Sequence, residues 1–524
     1  MKRLALCLCC LSVALMAQIA FGQAKYPQQW NMVGANLSND AGMDRLIAML
    51  KQSKDCGCTH VMMDEGGWMR NAENPEYLAR VAKVKATASE LGINIVPTVY
   101  AFAVATKYLS VDPNLSASQP VKDMPFVVTG KVAVPDPSGT LDLSDLMTKP
   151  DNGFYAKHFN LPNYMYYKVT LRTTAKPEDR EIFRASTMDN LRWLTRAYPI
   201  VRQVGDEWVT TNTFNTLDGH DLRLRLTLKD PKTFKSIKAE LAGPLLILRR
   251  QMTPLTVTSE DGQTVYEEGK DFKKLVDPDI AAGKVSYSWE HNPASIELTD
   301  DSRIKDGRKL KVSFFHAAKC YDKANMTMED PAVYPIMEKD VNNCVKVWNP
   351  TGFFMHFDEI RIGGFETPNI PPGKILADMC KRGVDVIRKA SPNATIYTWS
   401  DMFCPDQNAW PVGEEGVKNF YLVHGNWAGS WDGLPKDVTI MNWVDGAKGV
   451  KFFGDRGNSQ ILCGYYDATT AAGMKKNITA WKKDSAGVSN ILGVMYTQWG
   501  TGYNNMKPYF DLLNTYDQWS KAPN

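Results

Sequence analysis

Residues 60–102 read HVMMDEGGWMRNAENPEYLARVAKVKATASELGINIVPTVYAF, and this stretch decides the fold. His60-Val61-Met62-Met63 is a short apolar strand that ends in Asp64-Glu65-Gly66-Gly67. A helix follows from about Pro75 to Leu91 and closes at Gly92, a residue that takes the left-handed conformation of a helix end. Ile93 to Phe102 is the next strand. The unit before it has the same form. Trp30 to Leu37 is a strand, and Met43, Leu46, Ile47 and Leu50 recur at i, i+3, i+4, i+7, one face of an amphipathic helix. Three strand–helix units in succession predict a parallel sheet, because parallel strands need a crossover between them.

Beyond residue 102 the rhythm breaks. Residues 103–150 are rich in Pro, Ser and Asp and read as a long loop. From about 150 to 318 the apolar residues alternate, as in Leu222-Arg223-Leu224-Arg225-Leu226 and Leu310-Lys311-Val312-Ser313-Phe314. Asp218-Gly219, Asp261-Gly262 and Asp306-Gly307 supply turns between such runs. This predicts an antiparallel β domain, sandwich-like, with one helix at about 179–197. The earlier rhythm then returns. Helices are expected at 331–348, 373–391, 469–483 and 505–520. Strands are expected at Phe353–Phe357, Thr395–Trp399, Val438–Trp443, Ile461–Tyr466 and Ile491–Gln498. Three strands before the insertion and five after it make eight, the number that closes a (β/α)8 barrel. The expected class is α/β: a TIM barrel interrupted after strand 3 by an antiparallel β-sandwich-like domain. The barrel takes residues 25–110 and 320–524, and the insertion 140–318.

Composition excludes several classes. Of 524 residues, 44% are apolar and 23% charged, which rules out a disordered or collagen-like chain. Lys and Arg number 61 against 58 Asp and Glu, so no basic excess points to nucleic acid or an anionic membrane. Residues 1–22 read as a signal peptide. Lys2 and Arg3 precede an apolar run from Leu4 to Ala20, and Ala20-Phe21-Gly22 offers a cleavage site. An exported protein, periplasmic or extracellular, is therefore expected, with no membrane span further along. The cysteines after the leader read mostly as small buried apolar residues, with Cys320–Cys344 the candidate disulfide in an oxidising compartment. Only seven His occur, without H-x-H or H-E-x-x-H at a strand end, so neither a metal site nor a cofactor is expected.

In such a barrel the chemistry lies at the C-terminal ends of the strands. Strand 2 ends at Asp64 and Glu65, strand 4 at Asp358 and Glu359, strand 5 at Trp399 and Asp401. Strand 6 ends at Asn442 and Trp443, strand 7 at Tyr465, Tyr466 and Asp467, and strand 8 at Gln498 and Trp499. The loop before strand 6 adds His424, Trp427 and Trp431. Packing accounts for any one of these rings. Several at one mouth would expose a large apolar surface unless a ligand covered it, and sugar rings present flat C–H faces that stack on indoles. A carboxyl group that protonates a glycosidic oxygen needs a pKa raised toward the working pH, and an adjacent carboxylate and aromatic walls both raise it. Asp358-Glu359 is the candidate pair, although a consecutive Asp-Glu also serves to cap a following helix. Successive strand residues point to opposite faces, so both reach the mouth only if the chain turns there.

Phe354-Met355-His356-Phe357-Asp358-Glu359 resembles the strand-4 motif of family 20 β-N-acetylhexosaminidases and of the related family 123 β-N-acetylgalactosaminidases. The resemblance implies a retaining, exo-acting enzyme without a cofactor, acting on a glycan or oligosaccharide with a terminal N-acetylhexosamine, N-acetylgalactosamine being favoured. It implies that Glu359 is the general acid/base. It implies that Asp358 orients the substrate's 2-acetamido group, which attacks the anomeric carbon in place of an enzyme carboxylate. A strand-7 tyrosine, Tyr465 or Tyr466, would hydrogen-bond the acetamido oxygen, and Trp399, Trp443 and Trp499 would wall the pocket or stack on the sugar. Asp401, Asn442, His424 and Asp467 are the candidates for reading the 4-hydroxyl. The motif lacks the glycines of the family's His-x-Gly-Gly-Asp-Glu, strand 1 lacks its sugar-gripping Arg, and the β domain interrupts the barrel instead of preceding it. Two other readings stay open. Asp64-Glu65 and Asp358-Glu359 could together form a two-carboxylate glycosidase for a sugar without an acetamido group. The aromatic cup also suits a non-catalytic glycan-binding protein.

Overall fold

The structure, a computed structural model, describes residues 28–515 apart from 144–145, 147–149, 152–153, 180–181, 188–193, 195–196, 218–220, 411–421, 444–445, 466–467 and 500–501. The expected leader, Tyr466 and Asp467 lie outside the described residues. Eight parallel strands close into a barrel: β1 (Gln28–Gly34), β2 (His60–Asp64), β3 (Asn94–Val99), β4 (Gly352–Met355), β5 (Thr395–Trp399), β6 (Thr439–Asn442), β7 (Gln460–Tyr465) and β8 (Ile491–Thr497). β8 pairs back on β1, Gln28 opposite Gly493, which completes the ring. The outer layer holds α1 (Asp40–Asp55), α2 (Pro75–Leu91), α3 (Val333–Trp348), α4 (Pro372–Ala390), α5 (Ala447–Arg456), α6 (Ala471–Asp484) and α7 (Met506–Thr515).

Local chemistry explains these boundaries. The Asn74 side chain accepts the N–H groups of Glu76 and Tyr77 at the start of α2, and Pro75 needs no N–H partner in the first turn. Gly92 ends that helix at φ 63°. Along the strands, side chains alternate. Trp30, Met62, Val96, Phe354, Tyr397, Trp399, Met441, Ile461 and Met495 fill the barrel interior, while their neighbours Val33, Val61, Val99, Phe353, Ile396 and Ile440 pack outward into the larger core. The barrel interior is thus packed largely with aromatics and methionines.

Between β3 and β4 the chain builds three antiparallel sheets from residues 118 to 317. One has six strands, centred on Ser118–Thr129 paired with Lys309–Ala317. A five-stranded and a four-stranded sheet lie together, with Phe183 of the latter 6.2 Å from Phe214 of the former. Two local expectations are corrected. Residues 118–129, expected in a loop, form a strand, because Met124, Phe126 and Val128 bury one face despite the prolines around them. Residues 183–187, expected within a helix, also form a strand. Phe183 and Ala185 are buried on one side, and the segment pairs with Asp221–Leu226. α5 was not anticipated. The cysteines Cys56, Cys58, Cys320, Cys344, Cys380, Cys404 and Cys463 are all buried, and the expected Cys320–Cys344 disulfide is not formed. Each lies in a packed apolar cluster, Cys320 and Cys344 in different ones.

Candidate active site

Strand 4 brings its acids to the mouth by a break in alternation. Phe353, Met355 and Phe357 pack outward, and Phe354 faces the interior with His356 near it, their rings 6.1 Å apart. Regular alternation would then send Asp358 inward and Glu359 outward. Glu359 instead adopts a left-handed backbone, φ 40°, which a non-glycine residue enters only at a cost. Its N–H donates to Asp401 Oδ2 at 2.9 Å, and the next N–H, of Ile360, donates to Met402 Sδ at 3.4 Å. Two residues of the β5 loop therefore fix the turn, and both Asp358 and Glu359 stay at the mouth. Arg361 forms an ion pair with the Glu359 carboxylate.

Asp401 sits beneath this pair, fully buried. Besides the Glu359 N–H it accepts Asn408 Nδ2 at 2.9 Å, and its other oxygen accepts the Trp443 indole N–H at 3.3 Å. One carboxylate thus ties the turn after β4 to the aromatic wall after β6. Burial pushes the Asp401 carboxyl up to about 6, against the pull of its three hydrogen bonds. Asp358 is pushed well above the carboxylate range, by burial first and then by the charges of Asp401 and Glu359. Its Oδ1 is buried without a hydrogen-bond partner, and both ring nitrogens of buried His356 are also unpartnered. His356 Nε2 lies 3.9 Å from Asp358 Oδ2, and burial lowers its pKa against the pull of the Asp64 charge. These buried polar atoms, gathered at one point, have no hydrogen-bond partner among the described residues.

Asp64 faces the same mouth. Lys107 Nζ reaches its Oδ1 at 2.9 Å and Thr98 Oγ1 at 3.1 Å. Burial would raise its pKa, but Lys107, His356 and these hydrogen bonds outweigh it and hold the carboxyl below its ordinary value. Lys107 is placed by a buried hub on α3. Asp340 accepts the Tyr108 hydroxyl at 2.6 Å, the Trp68 indole at 2.7 Å and the Tyr100 N–H at 3.1 Å, joining the loops after β2 and β3. The inserted domain braces the loop after β4. Its Arg250 pairs with Asp330 at 3.1 Å and with Glu366, while Glu329 accepts the N–H groups of Gly364, Glu366 and Thr367 at 2.7–2.8 Å.

The indoles divide by depth. Trp399 is completely buried as the floor, 5.0 Å from Phe354, with its N–H unpaired. Trp443 is half-buried against Asp401. Trp499 stands over Trp399 with ring centroids 5.9 Å apart and is 44% exposed, an uncommon setting for so large an apolar ring.

Other expected site residues lie elsewhere. Glu65 is buried on the outer face, where its carboxylate accepts the Tyr77 hydroxyl at 2.8 Å and the Gly67 N–H at 2.7 Å. Asn442 points into the helix layer and donates to Gln460 Oε1 at 3.1 Å. Tyr465 also leaves the mouth. Ile461 and Cys463 face inward, but φ 75° at Tyr465 turns its ring outward to stack on Tyr496 at 4.0 Å, and Asn505 Nδ2 donates to its hydroxyl at 2.9 Å. His424 lies against Phe365 on the loop after β4. Trp427 is core and Trp431 packs on Phe452. Sequence reasoning passed over His356, Arg361 and Lys107. His356 was within reach, two residues before Asp358 and so on its face. Lys107 falls in a segment without periodicity and gave no signal.

No family model and no curated protein matches this chain. Among solved structures, a pneumococcal exo-β-D-N-acetylglucosaminidase with tandem family 20 catalytic modules is similar over 95% of this chain and 86% of that one, at 8% identity and a TM-score of 0.38. A family 20 β-N-acetylglucosaminidase is similar over 93% of this chain and 69% of that one, at 8% identity and a TM-score of 0.35. The family 20 exo-β-N-acetylglucosaminidase of Vibrio harveyi is similar over 91% and 50%, at 8% identity and a TM-score of 0.36.

Proposed function

We propose that the protein is an exported glycoside hydrolase that removes a terminal β-linked N-acetylhexosamine, N-acetylgalactosamine preferred, by retaining, substrate-assisted catalysis. The observation that carries this reading is the left-handed turn at Glu359, which holds two consecutive carboxylates at one mouth over a buried third, Asp401. Glu359 gives its proton to the glycosidic oxygen as the bond to the anomeric carbon breaks. Arg361, which occupies the Glu359 carboxylate in the ligand-free site, has to yield as the glycoside enters. The acetamido oxygen of the same sugar closes on the anomeric carbon and forms an oxazolinium ion. Positive charge then develops beside Asp358. That group is unfavourable as an anion in the empty site, and the ring charge relieves it most in the transition state, the condition for catalysis rather than mere binding. Water, deprotonated by Glu359, opens the oxazolinium and restores the enzyme.

The two-carboxylate alternative has lost a member, because Glu65 faces the helices. The test is a panel of 4-nitrophenyl β-glycosides. Release from the N-acetylgalactosaminide and N-acetylglucosaminide, with inhibition by a thiazoline mimic of the oxazoline, is expected. Release from non-acetamido sugars alone, or from none, overturns the proposal.

A further inference from the structure

The inserted domain carries a groove of its own, which shares no residue with the barrel mouth. It lies where the six-stranded sheet meets the five-stranded one and has a volume of about 630 Å³. Small-ligand sites span roughly 300–1,000 Å³ and are mostly apolar, with a few polar groups that fix orientation. At depth the groove is lined by Leu161, Met165, Tyr167, Leu241 and Leu310, each 9% exposed or less. Tyr167 is stacked on Phe214, ring centroids 5.2 Å apart, and is 3% exposed, so it offers no flat platform to a sugar. The aliphatic side chains around it suit an alkyl chain instead. We propose that this groove binds an amphipathic carboxylate of the fatty-acyl class, with its chain along the apolar floor and its carboxylate at Lys122 and Lys311 on the rim.

The charge on the rim selects the head group. A break in strand pairing builds that rim. Val312 pairs with Met124 and Phe314 with Val121, so Lys122 and Asp123 together stand opposite Ser313 in a β-bulge. Asp123 takes φ 52°, and its N–H donates to Ser313 Oγ at 2.9 Å. A bulge re-aims the side chains it carries, and here both Lys122 and Asp123 line the groove. Lys309 and Lys311 join Lys122 there, against Asp123, Asp136 and Glu260. Lys309 is shared between two of the acids, 3.9 Å from Asp136 and 4.0 Å from Glu260. Asp136 also accepts the Ser138 N–H at 2.9 Å, and Asp123 accepts the Ser313 hydroxyl at 3.3 Å. Lys122 Nζ lies over the Tyr164 ring, 3.8 Å from its centroid. Among the described residues neither Lys122 nor Lys311 is ion-paired. Two cations therefore stand ready to meet an anion without breaking an ion pair, and the one acid left beside them is already bonded to a hydroxyl.

The test is displacement of a dansyl-labelled fatty acid from the full chain, followed by dansyl fluorescence. The competitors are octanoate, decanoate and dodecanoate, with dodecanol as the neutral counterpart, all below their micellar concentrations. Affinity should rise about threefold for each added methylene, as its burial requires. Dodecanoate should bind about tenfold more tightly than dodecanol, and the margin should shrink at high salt. Lys122→Gln and Lys311→Gln, rim changes with no ion pair to lose, should each weaken dodecanoate about threefold and leave dodecanol unchanged. Leu141→Gln, at a half-buried position in the same groove, should weaken acid and alcohol alike. No displacement, an affinity independent of chain length, equal affinity for acid and alcohol, or dodecanoate binding that ignores both lysine substitutions overturns the site.

Discussion

The chain contains two consecutive Asp-Glu pairs at strand ends, Asp64-Glu65 on β2 and Asp358-Glu359 on β4, and the backbone treats them oppositely. On β2 the pleat continues through the pair. Asp64 faces the mouth and Glu65 the helices, where Tyr77 and Gly67 saturate it. On β4 the pleat is broken by φ 40° at Glu359, and both acids remain at the mouth. Composition does not separate the two pairs. What separates them is a neighbour: Asp401 accepts the Glu359 N–H and makes the left-handed turn worthwhile, whereas the turn after β2 is taken by Gly66, at φ 65°, one residue too late to redirect Glu65. The placement of the β4 pair is therefore set by the strand beside it.

The strongest way to break this comparison is to neutralise each acid in turn. Glu359→Gln should lower kcat/KM on the nitrophenyl N-acetylhexosaminides by roughly 10²–10⁴, the range for loss of a general acid. Asp358→Asn should cost on the order of 10²–10³, as for removal of a preorganised charge at the reacting centre. Asp64→Asn, at the mouth but committed to Lys107, should cost less than about tenfold, and Glu65→Gln almost nothing. A collapse of turnover in Glu65→Gln with an unchanged melting temperature would contradict the outward placement of that side chain.

Asp401 sharpens the comparison through pH. Its folded pKa, about 6, stands above the ordinary 3.8, so the folded state binds the proton more tightly than the unfolded chain. The stability it contributes is complete below pH 3.8 and is lost as the pH rises through 6, on the order of 3 kcal/mol over that window. Asp401→Asn removes this dependence. The stability of the wild type relative to the variant, followed by urea melts from pH 4 to pH 7, should fall as the pH rises, and a flat difference would show that Asp401 does not titrate there. Turnover should drop about tenfold in the variant, because an amide holds the Glu359 N–H and the Trp443 indole less firmly than a carboxylate does.

The barrel was legible because its signals are local. Short apolar runs between helical segments marked all eight strands, and Gly92 marked the end of the helix that begins near Pro75. The cluster at β4 and β5 was legible from strand ends alone. The departures are long-range. Glu359 and Tyr465 both leave the pleat at positive φ, one kept at the mouth by Asp401, the other drawn outward by Tyr496 and Asn505. Asp340 gathers Trp68, Tyr100 and Tyr108 from more than 230 residues away, and Arg250 reaches from the insertion to brace the loop beyond Glu359. Partners that distant leave no periodic trace in the chain.

Glu65 and Tyr465 supply the smaller tests, since each would matter for catalysis only if the pleat behaved otherwise. Glu65→Ala strands the Tyr77 hydroxyl and the Gly67 N–H in a buried site, which costs about 1–3 kcal/mol of stability and lowers the melting temperature while kcat/KM stays near wild type. Tyr465→Phe is milder. It removes one hydrogen bond, from Asn505, and keeps the stack on Tyr496, so the expected loss is about 0.5–1.5 kcal/mol with turnover unchanged. If Tyr465 gripped the acetamido oxygen, as the family resemblance implies for one of the two strand-7 tyrosines, the same substitution would cut kcat/KM by about a hundredfold without moving the melting temperature. The ratio of those two effects, measured on one variant, decides on which side of the barrel wall Tyr465 works.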